Sequence, residues 1–76
     1  TGHNLKKLSN SQLETIRLLA AGKSNEEIAQ LRGTTVRAVR LLLVRAYRAL
    51  GIDEQGGSER RVKAALEFIK ASGLPN

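Results

Sequence analysis

Residues 24–50 read SNEEIAQLRGTTVRAVRLLLVRAYRAL, and this stretch decides the fold. Ser24 lies three residues before Glu27, the spacing of a capping box, in which each side chain satisfies a free backbone N–H group of the other residue. Gly33 follows as a residue that can end a helix. The pattern therefore predicts a short helix at about residues 25–32.

A longer helix is predicted directly after this stop. Thr34 and Thr35 offer hydroxyl groups that can cap its N-terminus, and the next helix breaker is Gly51. This second helix covers about residues 35–50. A short helix, a tight turn and a longer helix are typical of the helix-turn-helix arrangement, whose second helix enters the major groove of DNA.

Helices are also predicted on both sides of this pair. Ser9 and Gln12 have capping-box spacing and Gly22 supplies a stop, which predicts a first helix at about residues 10–21. Ser58 can cap a further helix at about residues 58–72. No stretch shows the alternation of a β-strand. The predicted fold class is therefore all-α, a four-helix helix-turn-helix domain.

The domain is predicted to cover residues 8–76, with residues 1–7 as the end of a linker. The chain contains no methionine, which favours a fragment of a longer protein or a processed chain. Residues 53–57 end in two consecutive glycines and lack apolar periodicity. They are therefore predicted to form a loop between the third and fourth helices.

The charge of the chain is strongly positive and unevenly distributed. Lys and Arg number 13 against 7 Asp and Glu, which gives a net charge of +6. Between Glu27 and Asp53 there is no acidic residue, although arginines recur throughout this stretch. Such a field favours a polyanionic partner, and double-stranded DNA is the partner predicted.

Helical periodicity divides the third helix into two faces. The predicted core face carries Val39, Leu42, Leu43, Ala46 and Leu50. The opposite face, which we call the reading face, carries Arg37, Arg40, Leu41, Val44, Arg45 and Arg48. Tyr47 falls at the boundary, where its hydroxyl is expected to reach water. Arginine can neutralise phosphates and read guanine edges, so the reading face is predicted to bind DNA.

The starts of the second and third helices are predicted to contact the DNA backbone. Free backbone N–H groups and the helix dipole favour a phosphate at these positions. The side chains expected to contribute are Lys23, Ser24, Asn25, Thr34 and Thr35. For Ser24, capping of its own helix is at least as good an explanation.

Other classes of function are disfavoured. The chain has no cysteine and one histidine, His3, so no disulfide and no metal site is predicted. No set of nucleophile, base and orienting residue is recognisable, so neither enzyme activity nor a cofactor is predicted. No apolar run approaches the roughly 20 residues of a membrane span and no signal peptide is recognisable, which favours a cytoplasmic protein.

The fourth helix carries two apolar stripes. Its inward face is predicted to consist of Val62, Ala65, Leu66 and Ile69. A weaker stripe on the other side consists of Ala64, Phe68 and Ala71. An apolar stripe that faces water is unexpected for a monomer.

The residues that invite comparison with a known family are Leu8 and Ser9, the stretches 16–22 and 50–52, Thr35, Val39 and, above all, the segment GKSNEEIA at 22–29. Over about residues 8–74, the chain resembles the C-terminal DNA-binding domain of bacterial transcription regulators of the LuxR/NarL/FixJ type. The resemblance implies sequence-specific transcription control as the output module of a longer regulator. It also implies base contacts by Arg40, Leu41 and Val44, and a homodimer through the fourth helix, with Ala64, Phe68 and Ala71 as contacts.

Two alternatives stay open. Leu41 and Val44 are apolar residues among arginines, and they would either touch thymine methyl groups or dock on another protein, such as RNA polymerase or a partner regulator. In the second case the chain would be a protein-interaction module of the same fold. Arg45, Ala46 and Leu50 also resemble region four of bacterial sigma factors, which has a related fold.

Overall fold

Four α-helices make up most of the described part of the chain. The computed structural model describes residues 3–52 and 57–72, and within these ranges it contains no β-strand. The helices are α1 (Asn10–Ala20), α2 (Asn25–Arg32), α3 (Val36–Ala49) and α4 (Gly57–Ser72). The predicted all-α class is confirmed, and each predicted helix end lies within one residue of the observed end. Residues 53–56 of the predicted loop lie outside the described residues, and Gly57 already belongs to α4.

Capping boxes begin α1 and α2, as predicted. At α1, the Ser9 N–H donates to Gln12 Oε1 at 3.0 Å, and the Gln12 N–H donates to Ser9 Oγ at 3.1 Å. At α2, Ser24 and Glu27 form the same two hydrogen bonds at 2.8 and 3.1 Å. Each bond satisfies an N–H group that a helix leaves without an internal partner. The starts of both helices are therefore defined by local side chains.

The turn between α2 and α3 consists of three residues. Gly33 has a φ angle of +67°, in the left-handed region where a residue with a Cβ atom is strained. The Thr34 N–H donates to the Ala29 carbonyl at 2.8 Å, and the Ala38 N–H donates to Thr35 Oγ1 at 3.1 Å. These bonds close the end of α2 and the start of α3 within one short turn, which leaves little freedom in how the two helices meet.

The inward side of α3 packs against α1 and α2, and α4 packs against α1. The buried core is formed by Ile16, Leu18, Leu19, Ile28, Ala29, Val39, Leu43, Ala46, Tyr47, Leu50 and Ala64. Four of the five core residues predicted on α3 belong to it, whereas Leu42 is only partly buried. Because this side of α3 is filled by the core, the arginines of the reading face are left exposed to solvent.

The orientation predicted for α4 is wrong. Ala64 is fully buried and Phe68 packs against the core, whereas Val62 and Leu66 are 57% and 47% exposed. The stripe predicted to face outward is thus the inward one. Both stripes are apolar, so periodicity alone does not choose between them. The structure places Ala64 and Phe68 against the core while α4 packs against α1.

This orientation removes the basis of the predicted dimer surface. Ala64 has no exposed area, and Phe68 and Ala71 are partly buried within the single chain. A second copy would reach Ala64 only by displacing α4 from the core. Dimerisation itself stays a prediction, and the exposed large apolar residues on the described part of α4 are Val62 and Leu66.

A turn of 3-10 helix at His3–Lys7 precedes α1, which the sequence pattern did not predict. Leu5 and Leu8 pack against the core, and the turn contacts α4. From Leu5 onward, the segment predicted as the end of a linker therefore contributes to the packing of the domain.

Ile28 and Leu31 on α2 allow a test of this packing, because Ile28 has no exposed area and Leu31 is 62% exposed. Ile28→Val deletes one buried methyl group and leaves a small cavity. It is expected to lower the free energy of unfolding by about 0.5–1.5 kcal/mol. The control Leu31→Ala deletes more atoms from an exposed position and is expected to change it by less than about 0.5 kcal/mol. Urea denaturation measures both, and a larger loss for Leu31→Ala would contradict the described packing.

Candidate nucleic-acid interface

The reading face of α3 is open to solvent. Its four arginines are exposed, namely Arg37, Arg40, Arg45 and Arg48. Leu41 is 50% exposed and Val44 is partly buried. Within the described residues, the one ion pair joins Arg17 and Glu14 on α1, so no carboxylate neutralises the arginines of α3. A row of exposed, unpaired guanidinium groups is a surface that a polyanion can neutralise.

The dimensions of α3 suit a major groove. From Arg37 to Arg48 the helix advances 11 residues, or about 16 Å at about 1.5 Å per residue. A helix with its side chains is about 10–12 Å across, and the major groove of B-DNA is about 12 Å wide. The reading face therefore spans about three helical turns, all of which a groove can accept at once.

The starts of α2 and α3 present hydroxyl groups beside the reading face. Ser24 and Thr35 are exposed, and each hydroxyl oxygen accepts a capping hydrogen bond from a backbone N–H. A hydroxyl group also has one proton to donate. Both side chains can therefore cap their helices and donate to a phosphate at the same time, which makes the two roles considered for Ser24 compatible. Thr34 is exposed next to Thr35.

Asn25 and the Lys23 backbone are joined to α4. Arg61 Nη1 donates to Asn25 Oδ1 at 2.7 Å, and Arg61 Nη2 donates to the Lys23 carbonyl oxygen at 3.3 Å. Asn25 is partly buried and holds Arg61 in place through this hydrogen bond. The DNA contact of Asn25 stays a prediction. Lys23 is engaged through its backbone alone in these bonds, which leaves its ammonium group available to a phosphate.

A pocket of about 240 Å³ lies where α3 meets the first turns of α4. Its apolar wall is formed by Leu43, Val44 and Tyr47. Its polar lining is formed by Asn25, Arg40, Arg60 and Arg61. We call it the arginine pocket. Arg40 and Val44 belong to it and to the reading face, so the two surfaces are continuous.

Tyr47 lies in the wall of the arginine pocket and is more buried than predicted. It is only 4% exposed, although its position on the helix placed it at the boundary with water. The guanidinium carbon of Arg60 lies 5.0 Å from the centre of its ring, a cation–π contact. Burial raises the pKa of Tyr47, while the charges of Arg61 and Arg60 oppose this rise. The neutral ring therefore provides a fixed support for Arg60.

Arg60 and Arg61 are not among the site residues predicted from the sequence. The prediction for α4 concerned its two apolar stripes alone. The sequence does contain a signal for them. Neither arginine has an acidic residue three or four positions away on the helix, and both lie near a helix N-terminus, where cations are disfavoured. Cations in such a position indicate a partner elsewhere in the fold or in a ligand.

Comparison of the chain with protein-family models, with curated proteins and with solved structures gave no match. In residues 3–52 and 57–72, no helix is both long enough and apolar enough to cross a lipid bilayer. The same residues contain no cluster of three or more histidine, aspartate or glutamate side chains suited to a metal ion. The functional inference therefore depends on the charge and geometry of the surfaces described above.

The capping box of α2 predicts a pH dependence of stability. The hydrogen bond from the Ser24 backbone lowers the pKa of Glu27 below its ordinary value. A lowered folded-state pKa means that the ionised carboxylate favours the fold. Its contribution is complete above the unfolded pKa of about 4.3 and is lost as the pH falls through the folded pKa.

Glu27→Gln keeps an oxygen acceptor for Ser24 but removes the titrating charge. The melting temperature of the wild type is therefore expected to exceed that of Glu27→Gln near neutral pH, and the difference is expected to shrink below about pH 4. Thermal melts followed by circular dichroism across this range measure the difference. Glu14, whose pKa the hydrogen bond from Arg17 also lowers, is present in both proteins and cancels. A difference that does not vary with pH would count against this role of the carboxylate.

Proposed function

We propose that the chain binds double-stranded DNA, with α3 in the major groove and its reading face toward the bases. The observation that carries this proposal is the row of four exposed arginines on α3, none of which has a carboxylate partner in the described part of the chain. Binding of such a surface to DNA neutralises phosphates and releases condensed counterions. The proposal therefore accounts for a charge pattern that the packing of the domain does not require.

The proposed contacts divide into two groups. Arg40, Leu41 and Val44 are assigned to base edges, because a guanidinium group can form two hydrogen bonds to guanine and apolar groups can contact the thymine methyl group. Contacts to the phosphate backbone position the protein and carry no sequence information of their own. These are assigned to Lys23, Ser24, Asn25, Thr34, Thr35, Arg37, Arg45 and Arg48.

The biological role proposed for this binding is transcription regulation in the bacterial cytoplasm. It is supported by the resemblance of the capped segment at 22–29 to regulators of the LuxR/NarL/FixJ type, in which such a domain is the output module. In this proposal, a sensing part of a longer regulator controls access of α3 to its operator.

A protein-interaction module is the second candidate, and the 50% exposure of Leu41 is the observation that favours it. Arg37 and Arg45 lie one helical turn to either side of Leu41. An apolar groove on a protein partner would have to desolvate these two charges, whereas a DNA groove is lined by phosphates that attract them. The surroundings of Leu41 therefore favour DNA.

The assignment of the reading face is tested with Arg40→Ala and Arg45→Ala, measured by fluorescence anisotropy against duplexes that the wild type selects from genomic fragments. Arg40→Ala is expected to weaken specific binding by about 1–3 kcal/mol and to relax preference at one base pair. Arg45→Ala is expected to weaken binding to all duplexes and to reduce the salt dependence of log K by about one unit. Arg17→Ala, which removes an exposed arginine of α1, is the matched control and should leave the affinity nearly unchanged.

Unchanged binding by both Arg40→Ala and Arg45→Ala would rule out the reading face as the DNA contact. Failure of the wild type to bind any duplex at about 50 mM salt would favour the protein-interaction module, because electrostatic attraction alone should give measurable non-specific binding under these conditions.

A further inference from the structure

The arginine pocket concentrates positive charge in a place that the core does not need. Three arginine side chains line it, Arg40 on α3 and Arg60 and Arg61 on α4. None of its lining residues in the described part of the chain carries a carboxylate. Like charges gathered in one concave site repel one another, and an anion in the site would relieve that repulsion.

Arg60 has a donor that the described residues leave unused. Its Nε atom is buried and has no hydrogen-bond partner among residues 3–52 and 57–72, and its guanidinium carbon lies over the Tyr47 ring. A buried donor without an acceptor destabilises the folded state unless a ligand supplies the acceptor. If the side chain turns so that Nε faces the pocket, an oxyanion with two oxygens at the guanidinium edge would accept from Nε and from a terminal nitrogen together.

Arg61 is oriented before any ligand arrives. Its hydrogen bonds to Asn25 Oδ1 and to the Lys23 carbonyl use two of its five N–H donors and fix the plane of the group. The remaining donors lie on a side chain that lines the pocket. Less side-chain freedom is therefore lost when Arg61 binds an anion than for a free arginine on the surface.

We propose that the arginine pocket is a phosphate site, and that it takes a backbone phosphodiester of the duplex bound by α3. This inference rests on the proposed function and extends the interface to Arg60 and Arg61. Guanidinium groups match the geometry of phosphate oxygens through paired hydrogen bonds. A phosphate of the bound duplex is favoured over a free anion because Arg40 and Val44 belong both to the pocket and to the reading face. In this arrangement, α4 fixes how deeply and at what angle α3 lies in the groove.

The test compares Arg60→Gln, Arg60→Lys and Arg61→Gln with the wild type on a duplex of mixed sequence over a range of salt concentrations. Because the two arginines share one phosphate, the double variant Arg60→Gln/Arg61→Gln is expected to reduce the slope of log K against log salt by about 0.9, the loss of one phosphate contact, and each single variant by less. Arg60→Lys keeps the charge but loses the paired hydrogen bonds. It is expected to retain the slope and to bind several-fold more weakly.

Lys70→Gln is the matched control, because it removes one positive charge from an exposed position near the other end of α4. It is expected to leave the slope unchanged. Thermal melts of all variants show whether a loss of binding comes from unfolding. Arg60→Lys separates charge from geometry, because a retained salt slope with weaker binding is a result that a purely structural role would not produce.

The outcomes are distinguishable. A wild type that binds DNA, together with an Arg60→Gln/Arg61→Gln double variant of unchanged slope and affinity, would overturn this inference and leave the proposed function intact. A wild type that does not bind DNA at low salt would overturn both. Inorganic phosphate is the second probe. If added phosphate shifts the Arg60 Nε–H resonance until the shift reaches a plateau, and duplex DNA does not reverse that shift, the pocket is a site for free anions and the inference is wrong.

Discussion

The three-residue turn after α2 is the constraint on which the rest of the structure depends. Its hydrogen bonds close α2 at Gly33 and start α3 at Thr35, so α2 ends and α3 begins at a defined residue. Once α3 starts there, its periodicity directs Val39 and Leu43 to the core. The arginines between them in sequence then have to face solvent. The surface proposed to bind DNA is therefore a consequence of where one turn ends.

Much of this arrangement follows from the sequence, because it depends on local rules. Capping boxes at Ser9 and Ser24 and the glycine at position 33 are recognisable without knowledge of the tertiary structure. The side of α4 that packs inward was not predictable in this way. Both of its stripes are apolar, and the choice between them depends on how α4 packs on the rest of the core, which is a tertiary property. The helix ends were thus predicted within one residue, and the packing of α4 was not.

The candidate site also combines features that local sequence patterns predict with features that depend on tertiary packing. The exposed arginines of α3 were predicted from periodicity and from the lack of acidic residues, and the structure places them on one open face. Arg60 and Arg61 become part of the surface only because α4 brings them beside Tyr47 and Asn25, which lie 13 and 36 residues away in the sequence. Such contacts are long-range, and local patterns do not contain them. The reading face is therefore a property of one helix, whereas the arginine pocket is a property of three.

The central claim is that the outer face of α3 contacts DNA, and NMR titration of the isotope-labelled chain with duplex DNA tests it most directly. We expect the largest amide shift changes at the starts of α2 and α3 and along the reading face of α3. The exposed residues Leu31 and Leu66 are expected to change little, since they lie outside this surface. Changes concentrated at Leu31 and Leu66, with α3 unaffected, would contradict the claim.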